Sequence, residues 1–347
     1  MEAKPTVSII INNYNYDRFL REAIDSALNQ TYPFVEVIVV DDGSTDSSRD
    51  IISSYGNRII PVLKQNAGQA SALNTGVEIS KGEIVFFLDA DDIFLPTKVD
   101  EIVKLLIQIA QENPDVIISN YIETVDEKSS PIDINILSTL SAACGWNHLH
   151  EIRGRKSKLI DGVITRLSTP EQVYQFAAKY RFIPYLGMPT SGFAMTRSLI
   201  SKVFPIPCKS IKTSADDFIV KGASLIGSVY LTNKILTKYR IHGKNNWYGS
   251  QKKIQEGFFE ILDEFLNSKL KIAGRKPVFS YFNSTHAKSY YRTNFEYSCD
   301  QKLFELAIKV IAWHINLTTI VFFAKTVVLS IMLKLKRIGT DVKIIDS

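Results

Sequence analysis

Three groups of carboxylates have the residue types and spacing to do chemistry: Asp41-Asp42, Asp89-Ala90-Asp91-Asp92 and Asp216-Asp217. Oxygen ligands crowded on a short turn suit Mg²⁺ or Mn²⁺, which keep part of their coordination shell for water and substrate phosphates. Such crowding inside a cleft is tolerable when a cation or solvent offsets the mutual repulsion. A carboxylate at a strand end can instead accept from a nucleobase N–H or a ribose hydroxyl, and one at a helix start can take a proton from a reacting hydroxyl. Each group also has a purely structural reading. Asp41-Asp42-Gly43-Ser44 reads equally as a turn, and Ser214 or Asp216 as a helix cap.

The elements around these residues give them their places. Residues 6–11 (TVSIII) form a β-branched run long enough for a strand buried on both faces, and Asp17–Gln30 places Phe19, Leu20, Ala23, Ile24, Ala27 and Leu28 at helical spacing. Residues 35–40 (VEVIVV) predict a second strand, Asp46–Tyr55 a helix, Ile59–Leu63 a third strand, Gln69–Ser80 a helix and Glu83–Leu88 a fourth strand. This alternation with short loops predicts an α/β fold with a mostly parallel central sheet and flanking helices. Ligands of open parallel sheets bind beyond the carboxyl ends of the strands. Asn12-Asn13-Tyr14, Asp41-Asp42, Asn66 to Gln69 and Asp89 to Asp92 all fall there. Further on, Pro96–Glu112 reads as a helix and residues 115–123 as a strand. Residues 126–169 read as loops, Pro170–Tyr180 and Asp216–Ile226 as helices, and residues 229–233 and 237–247 as closing strands and loop. The chain divides into residues 1–125, 126–248 and a largely helical extension, 249–347.

Composition narrows the class. The chain of 347 residues is 45% hydrophobic and 22% charged, which excludes collagen-like and disordered classes. Cys144, Cys208 and Cys299 are too widely spaced for a thiolate zinc site or a disulfide scaffold. Cys144 with His148 and His150 is a weak metal pattern. Of a net charge of +5, most sits in residues 301–347, which carry seven Lys/Arg against three acids. No basic stripe crosses the body of the chain, so a nucleic-acid groove is not expected. The opening MEAKPTVSII lacks cleavable signal architecture, giving an expected cytoplasmic location. Residues 303–338 are apolar, but their longest charge-free run, Val310–Ala324, is short of a span and is followed by Lys325, Lys334, Lys336 and Arg337. An interfacial helix on the inner face of the plasma membrane, a helix packed on the rest of the protein and a spanning helix all remain open.

The ordered set of motifs resembles the family 2 glycosyltransferases of the nucleotide-sugar-binding A-type fold. The stretch VSIIINNYNYDRFLREAIDSALNQTYPFVEVIVVDDGSTD resembles that family's opening strand, helix and aspartate turn, and KGEIVFFLDADDIFLP its metal-binding segment. The resemblance implies a Rossmann-like glycosyltransferase A-type fold with a helical C-terminal extension. It also implies residue roles. Asn12 and Tyr14 match positions flanking the nucleobase, Asp42 the carboxylate that reads the base with Asp41 beside it, and Asp89 the ribose or metal-shell contact. Asp91 matches the cation ligand. Asn66 and Gln69 lie in the family's loop and helix after the third strand, with Leu73 where a basic residue is often found. Asp216, eleven residues before Gly227, matches the catalytic base, with Ala215 in place of the usual preceding glutamate. His242, in YRIHGKNNW, resembles a motif whose histidine approaches the metal or diphosphate, and Thr190-Ser191-Gly192 a segment lining the donor sugar.

The expectation is therefore an inverting glycosyltransferase. It would move a sugar from a nucleotide sugar, UDP-linked, to a hydroxyl of a glycan or lipid-linked acceptor by single displacement, with Asp216 as base and Mg²⁺ or Mn²⁺ as cofactor. A catalytically silent, membrane-associated nucleotide-binding protein is the alternative. Nucleotidyltransferases and dinucleotide oxidoreductases are disfavoured, because no glycine-rich phosphate loop follows any predicted strand.

Overall fold

The computed structural model describes residues 4–111, 113–132, 152, 159–160, 163–208, 214–243, 245 and 257–279. The Cys144, His148 and His150 pattern, the basic run 153–158, Cys299 and the apolar segment 303–338 lie outside the described residues. Strand β1 (Val7–Asn13) is flanked by β2 (Val35–Asp41) and β4 (Ile84–Asp89), both parallel to it, and β3 (Ile60–Leu63) pairs parallel to β2. Ile9 and Ile11 point to one layer, with Leu20, Ala23 and Ile24 of α1 (Asp17–Leu28) and Val99, Ile102 and Val103 of α4 (Lys98–Ala110). Ile10 points to the other, with Ala72 and Leu73 of α3 (Gln69–Ile79). Both faces being covered is why the strand reads as a continuous apolar run. Helix α3 lies so close that a Cβ on Gly76 would stand 2.4 Å from Ile10 Cγ2.

Two other short elements complete this half. Helix α2 (Ser48–Ser54) follows β2, and β5 (Ile93–Phe94) follows β4. The second half of the sheet is mixed. Its strands are β6 (Val116–Val125), β7 (Leu159–Ile160), β8 (Ile164–Ser168), β9 (Phe193–Thr196) and β10 (Ser228–Arg240), and the order across the sheet is β3-β2-β1-β4-β9-β6-β10-β8-β7, with β5 pairing β10. The parallel expectation is met in β3-β2-β1-β4 and in the β6–β10 pair, whereas β9 inserts antiparallel between β4 and β6. A four-residue strand carries no local mark of its direction; the neighbours it hydrogen-bonds decide it. Strand β8 lies inside the stretch expected to be loops, and its pairing to β10, with Ile164 and Leu167 buried, holds it extended. The two segments read as closing strands are one thirteen-residue strand, β10, with register shifts near Ile235.

Helix α5 (Pro170–Tyr180) opens with a reciprocal capping box between Thr169 and Gln172. Helix α6 (Arg197–Val203) follows β9, and α7 (Ala215–Ile226) precedes β10. Residues 1–125 and 126–248 thus share one sheet. Helix α8 (Phe258–Ile272) packs Leu262, Phe265 and Leu266 into the cluster that holds Phe218 and Ile219 of α7. Compact packing continues to Phe279, the last described residue.

Candidate active site

The carboxyl end of β4 turns tightly, with the Asp92 amide donating to the Asp89 carbonyl at 3.1 Å. Arg240, at the end of β10, fixes that turn from below. Its amide donates to Asp92 Oδ1 at 3.0 Å and its Nε to the Asp91 carbonyl at 2.9 Å. The rest of the guanidinium reaches the Glu127 carbonyl, Ser129 Oγ and Glu22, and stacks over the Phe19 ring, leaving the side chain 1% exposed. Arg240 stands two residues from His242, but nothing local in the sequence marks its contacts with the acidic turn, which is 148 residues or more away along the chain. His242 lies in contact with the same turn, its Nε2 3.0 Å from Asp91 Oδ2, with its ring against Phe19 and Tyr16.

On the other side, the single-turn helix Thr190–Gly192 supplies Ser191, whose Oγ accepts from the Asp89 amide at 3.0 Å. The Ser191 carbonyl accepts from the fully buried Lys98 ammonium at 2.5 Å, which also donates to Thr237 Oγ1 at 2.7 Å. Burial holds the Lys98 ammonium well below the usual lysine range, against the opposing pull of Asp92.

Helix α7 brings Asp216 to this place in its first turn, after Ser214 in the left-handed region (φ 65°). Gln69 ties the two elements together: its Nε2 donates to Asp89 Oδ1 at 3.3 Å and its Oε1 accepts from the Ala215 amide at 3.4 Å. The Tyr185 hydroxyl shares its proton between Asp216 Oδ2 at 3.1 Å and the Met188 carbonyl at 2.7 Å. Burial, then the charge of Asp217, pushes the Asp216 carboxyl up to about 6, against the bond from Tyr185. Asp89 is pushed up to about 7 by burial and by the charges of Asp91 and Asp216, against the bonds from Asn12 and Gln69. Asp92 is raised well above the carboxylate range by burial and by Asp91 and Asp89, and its Oδ2 has no partner among the described residues. The pocket is short of positive charge.

The end of β2 differs. Burial pushes Asp41 up, but bonds from Ser44, Arg49 and Asn13 outweigh it and hold the carboxyl below its ordinary value. Asp42 accepts from Lys64 Nζ at 2.5 Å and from the amides of Ala67 at 3.0 Å and Gly68 at 2.7 Å. That closes the loop after β3 against the turn after β2. The two loops meet so tightly at Gly43, in the left-handed region (φ 82°), that a Cβ there would lie 2.6 Å from the Asn66 amide nitrogen.

The structure therefore brings Asn12, Gln69, Asp89, Asp91, Asp216 and His242 together. Asp41 and Asp42 lie beyond the next strand ends with their oxygens engaged. Asn66 is exposed on its loop, and Tyr14, 46% exposed, stands on the loop after β1. Among the described residues no group of three or more His, Cys, Asp or Glu side chains is arranged to hold a metal by itself. No described helix is long and apolar enough to cross a membrane.

Comparison with known proteins gives the class first. Residues 8–162 match the family model described as glycosyl transferase family 2. An uncharacterized glycosyltransferase of Nostoc sp. (strain PCC 7120) is 31% identical over 275 residues, covering 76% of this chain and 75% of that protein. One of Rickettsia typhi is 46% identical over 125 residues, 36% of this chain and 39% of its own length. A crystal structure of S. aureus TarS 1–349 in complex with UDP superposes with a TM-score of 0.47 and 16% identity, covering 88% of this chain and 78% of that one. The chain belongs to glycosyltransferase family 2. It is an enzyme of glycosyl transfer.

Proposed function

We propose that this enzyme moves a glycosyl group from a UDP-linked sugar to a hydroxyl of a glycan or lipid-linked acceptor, with inversion, and with Asp216 as general base. One observation carries the reading: Asp216 opens a helix that Gln69 bridges directly to Asp89, so a proton acceptor and the acidic turn face one pocket. Asp216, held up to about 6, is ionised at neutral pH yet basic enough to take a proton as the acceptor oxygen attacks. With one carboxylate acting as base and none as nucleophile, the reaction is a single displacement.

The residues fit a Mg²⁺ or Mn²⁺ ion. The oxygen donors of the Asp89–Asp92 turn, the raised Asp89 carboxyl and the orphaned Asp92 Oδ2 mark a site that a cation would complete. Asp91 and His242 would hold it, with Asp89 in its shell and the remaining positions left to water and substrate phosphate, as is usual for Mg²⁺. When bound, the ion supplies Lewis acidity to the departing diphosphate. At the base end, Asp42 already accepts three donors and has room for one more, beside the Lys64 ammonium. A base edge with one N–H between two carbonyl oxygens, as in uracil, matches that pairing. Asn12, Tyr14, Asp41 and Asn66 frame the same end. The basic, apolar segment 303–338 suits contact with an anionic membrane surface and so a lipid-linked acceptor.

A panel of nucleotide sugars assayed with Mn²⁺ for release of nucleoside diphosphate tests the proposal. Asp216→Asn should lower transfer about 100- to 10,000-fold, the usual range for a general base, with UDP affinity within about twofold of wild type. Lost affinity with retained turnover would contradict the role, and a product of retained anomeric configuration would contradict the single displacement.

A further inference from the structure

Lys98 opens α4, where the helix dipole favours acids such as Asp100 and Glu101, yet its side chain turns inward and is fully buried. Its Nζ lies 3.8 Å from the centre of the Phe94 ring and donates to the Ser191 carbonyl at 2.5 Å and to Thr237 Oγ1 at 2.7 Å. The fold has little need of it. Thr237 Oγ1 itself donates to the Ser191 carbonyl at 3.1 Å and accepts from Asn120 Nδ2 at 3.1 Å, so both acceptors keep partners without the lysine. An apolar side chain of the same length would spare the cost of burying an ammonium whose two bonds go to uncharged oxygens.

What Lys98 grips is the turn beside the acids. Strand β9 pairs with β4 only from Ile84 to Phe86, and beyond that end the Ser191 hydroxyl takes the Asp89 amide at 3.0 Å. The same stretch of chain reaches the proposed base, because the Tyr185 hydroxyl donates to the Met188 carbonyl at 2.7 Å and to Asp216 Oδ2 at 3.1 Å. Between these ends the chain is tightly folded: the Gly192 amide donates to the Pro189 carbonyl at 2.6 Å, and a Cβ on Gly192 would stand 2.5 Å from Met188 Cβ. Phe94 of β5, two residues past Asp92, pairs with Thr237, so the lysine also lies where the chain leaves the acidic turn. We infer that Lys98 is a positioning residue for transfer: by fixing the Ser191 carbonyl it holds the Asp89 backbone, and with it the acidic turn, at a set place relative to Asp216. This deepens the proposed function and rests on it.

Lys98→Met tests the hold, because it keeps the length of the side chain and removes the donor. The variant should melt at or above the wild-type temperature in the absence of metal and nucleotide. Its affinity for Mn²⁺ in the presence of UDP, read from the electron paramagnetic resonance signal of free Mn²⁺, should fall about 10-fold, and kcat/KM for transfer about 10- to 100-fold, the range for groups that orient a metal's ligands. Losing a positive charge without losing position would instead tighten Mn²⁺ binding, so an affinity equal to or above that of wild type overturns the inference. Ser191→Ala, which removes the next link, should bring comparable losses, and the double variant should fall no further than the lower single one. Additive losses, or a Ser191→Ala enzyme as active as wild type, overturn the route through Ser191. A Lys98→Met protein that does not fold shows that the lysine serves the core and overturns the inference as well. Wild-type enzyme that releases diphosphate from no donor in the panel would overturn the proposed function, whereas the Mn²⁺ titration would still decide whether Lys98 holds the turn.

Discussion

The acidic turns after β2 and after β4 stand on either side of β1 and are built from the same residue type, yet their chemistry is opposite. At the β2 end, Asn13, Ser44 and Arg49 converge on Asp41, and Lys64 with the Ala67 and Gly68 amides converge on Asp42. Asp41 is held below its ordinary value. At the β4 end the donors are fewer and the acids face each other. Asp89 has Asn12 and Gln69, Asp92 has an oxygen with no partner, and Asp89 and Asp92 are both raised. The difference teaches that donors supplied from elsewhere in the fold, not acidity along the chain, decide whether a carboxylate finishes a structure or waits for a ligand. Asp41 is satisfied within the fold, whereas the β4 turn keeps an oxygen with no partner among the described residues.

Removing one acid from each turn is the strongest way to break this contrast. Asp91→Ala should lower transfer by about 100- to 1000-fold, the range for loss of a charge-stabilising group, while the melting temperature holds or rises because a repulsion is gone. Chelation of divalent ions should reproduce the loss in wild type and change nothing further in the variant. Asp41→Ala should do the reverse. It leaves the donors of Asn13, Ser44 and Arg49 without their acceptor and should cost about 2 kcal/mol of stability, read by denaturant or thermal melting, with transfer per folded molecule changed far less than in Asp91→Ala. Equal stability losses in the two variants would dissolve the distinction.

Smaller effects sharpen it at the base. As the proposed base, Asp216 would work deprotonated; its carboxyl is raised to about 6, so kcat/KM should be level above that pH and fall about tenfold per unit below it. Asp217 contributes to raising it and Tyr185 lowers it. Asp217→Asn should therefore move the acidic limb of the pH–rate profile to lower pH, and Tyr185→Phe to higher pH. Movement of both limbs in the same direction would show that neither group acts on the base as its contact with Asp216 implies.

The strand and helix alternation through α4 was legible because it is local. β-branched runs and helical spacing report burial from neighbours a few residues away, and acids that end such runs fall at strand ends by construction. Helix α7 and the place of Asp216 in its first turn were legible for the same reason. Strand β8 was not, and neither was the antiparallel direction of β9, since so short a segment takes its pairing and direction from the partners it meets. Nor was Arg240, whose contacts run to Glu22, Asp91, Asp92 and Glu127. The engaged state of Asp42 likewise depends on a loop more than twenty residues downstream.

By itself the sequence determined which residues could do chemistry and at which ends of which elements they would stand, because periodicity and turn residues act over short range. Only the tertiary structure decided which of those carboxylates would be satisfied, which would repel one another and which would share a pocket. Those outcomes depend on donors and charges carried by remote segments, as with Gln69 joining Asp89 to the start of α7 and Ser191 accepting from the Asp89 amide.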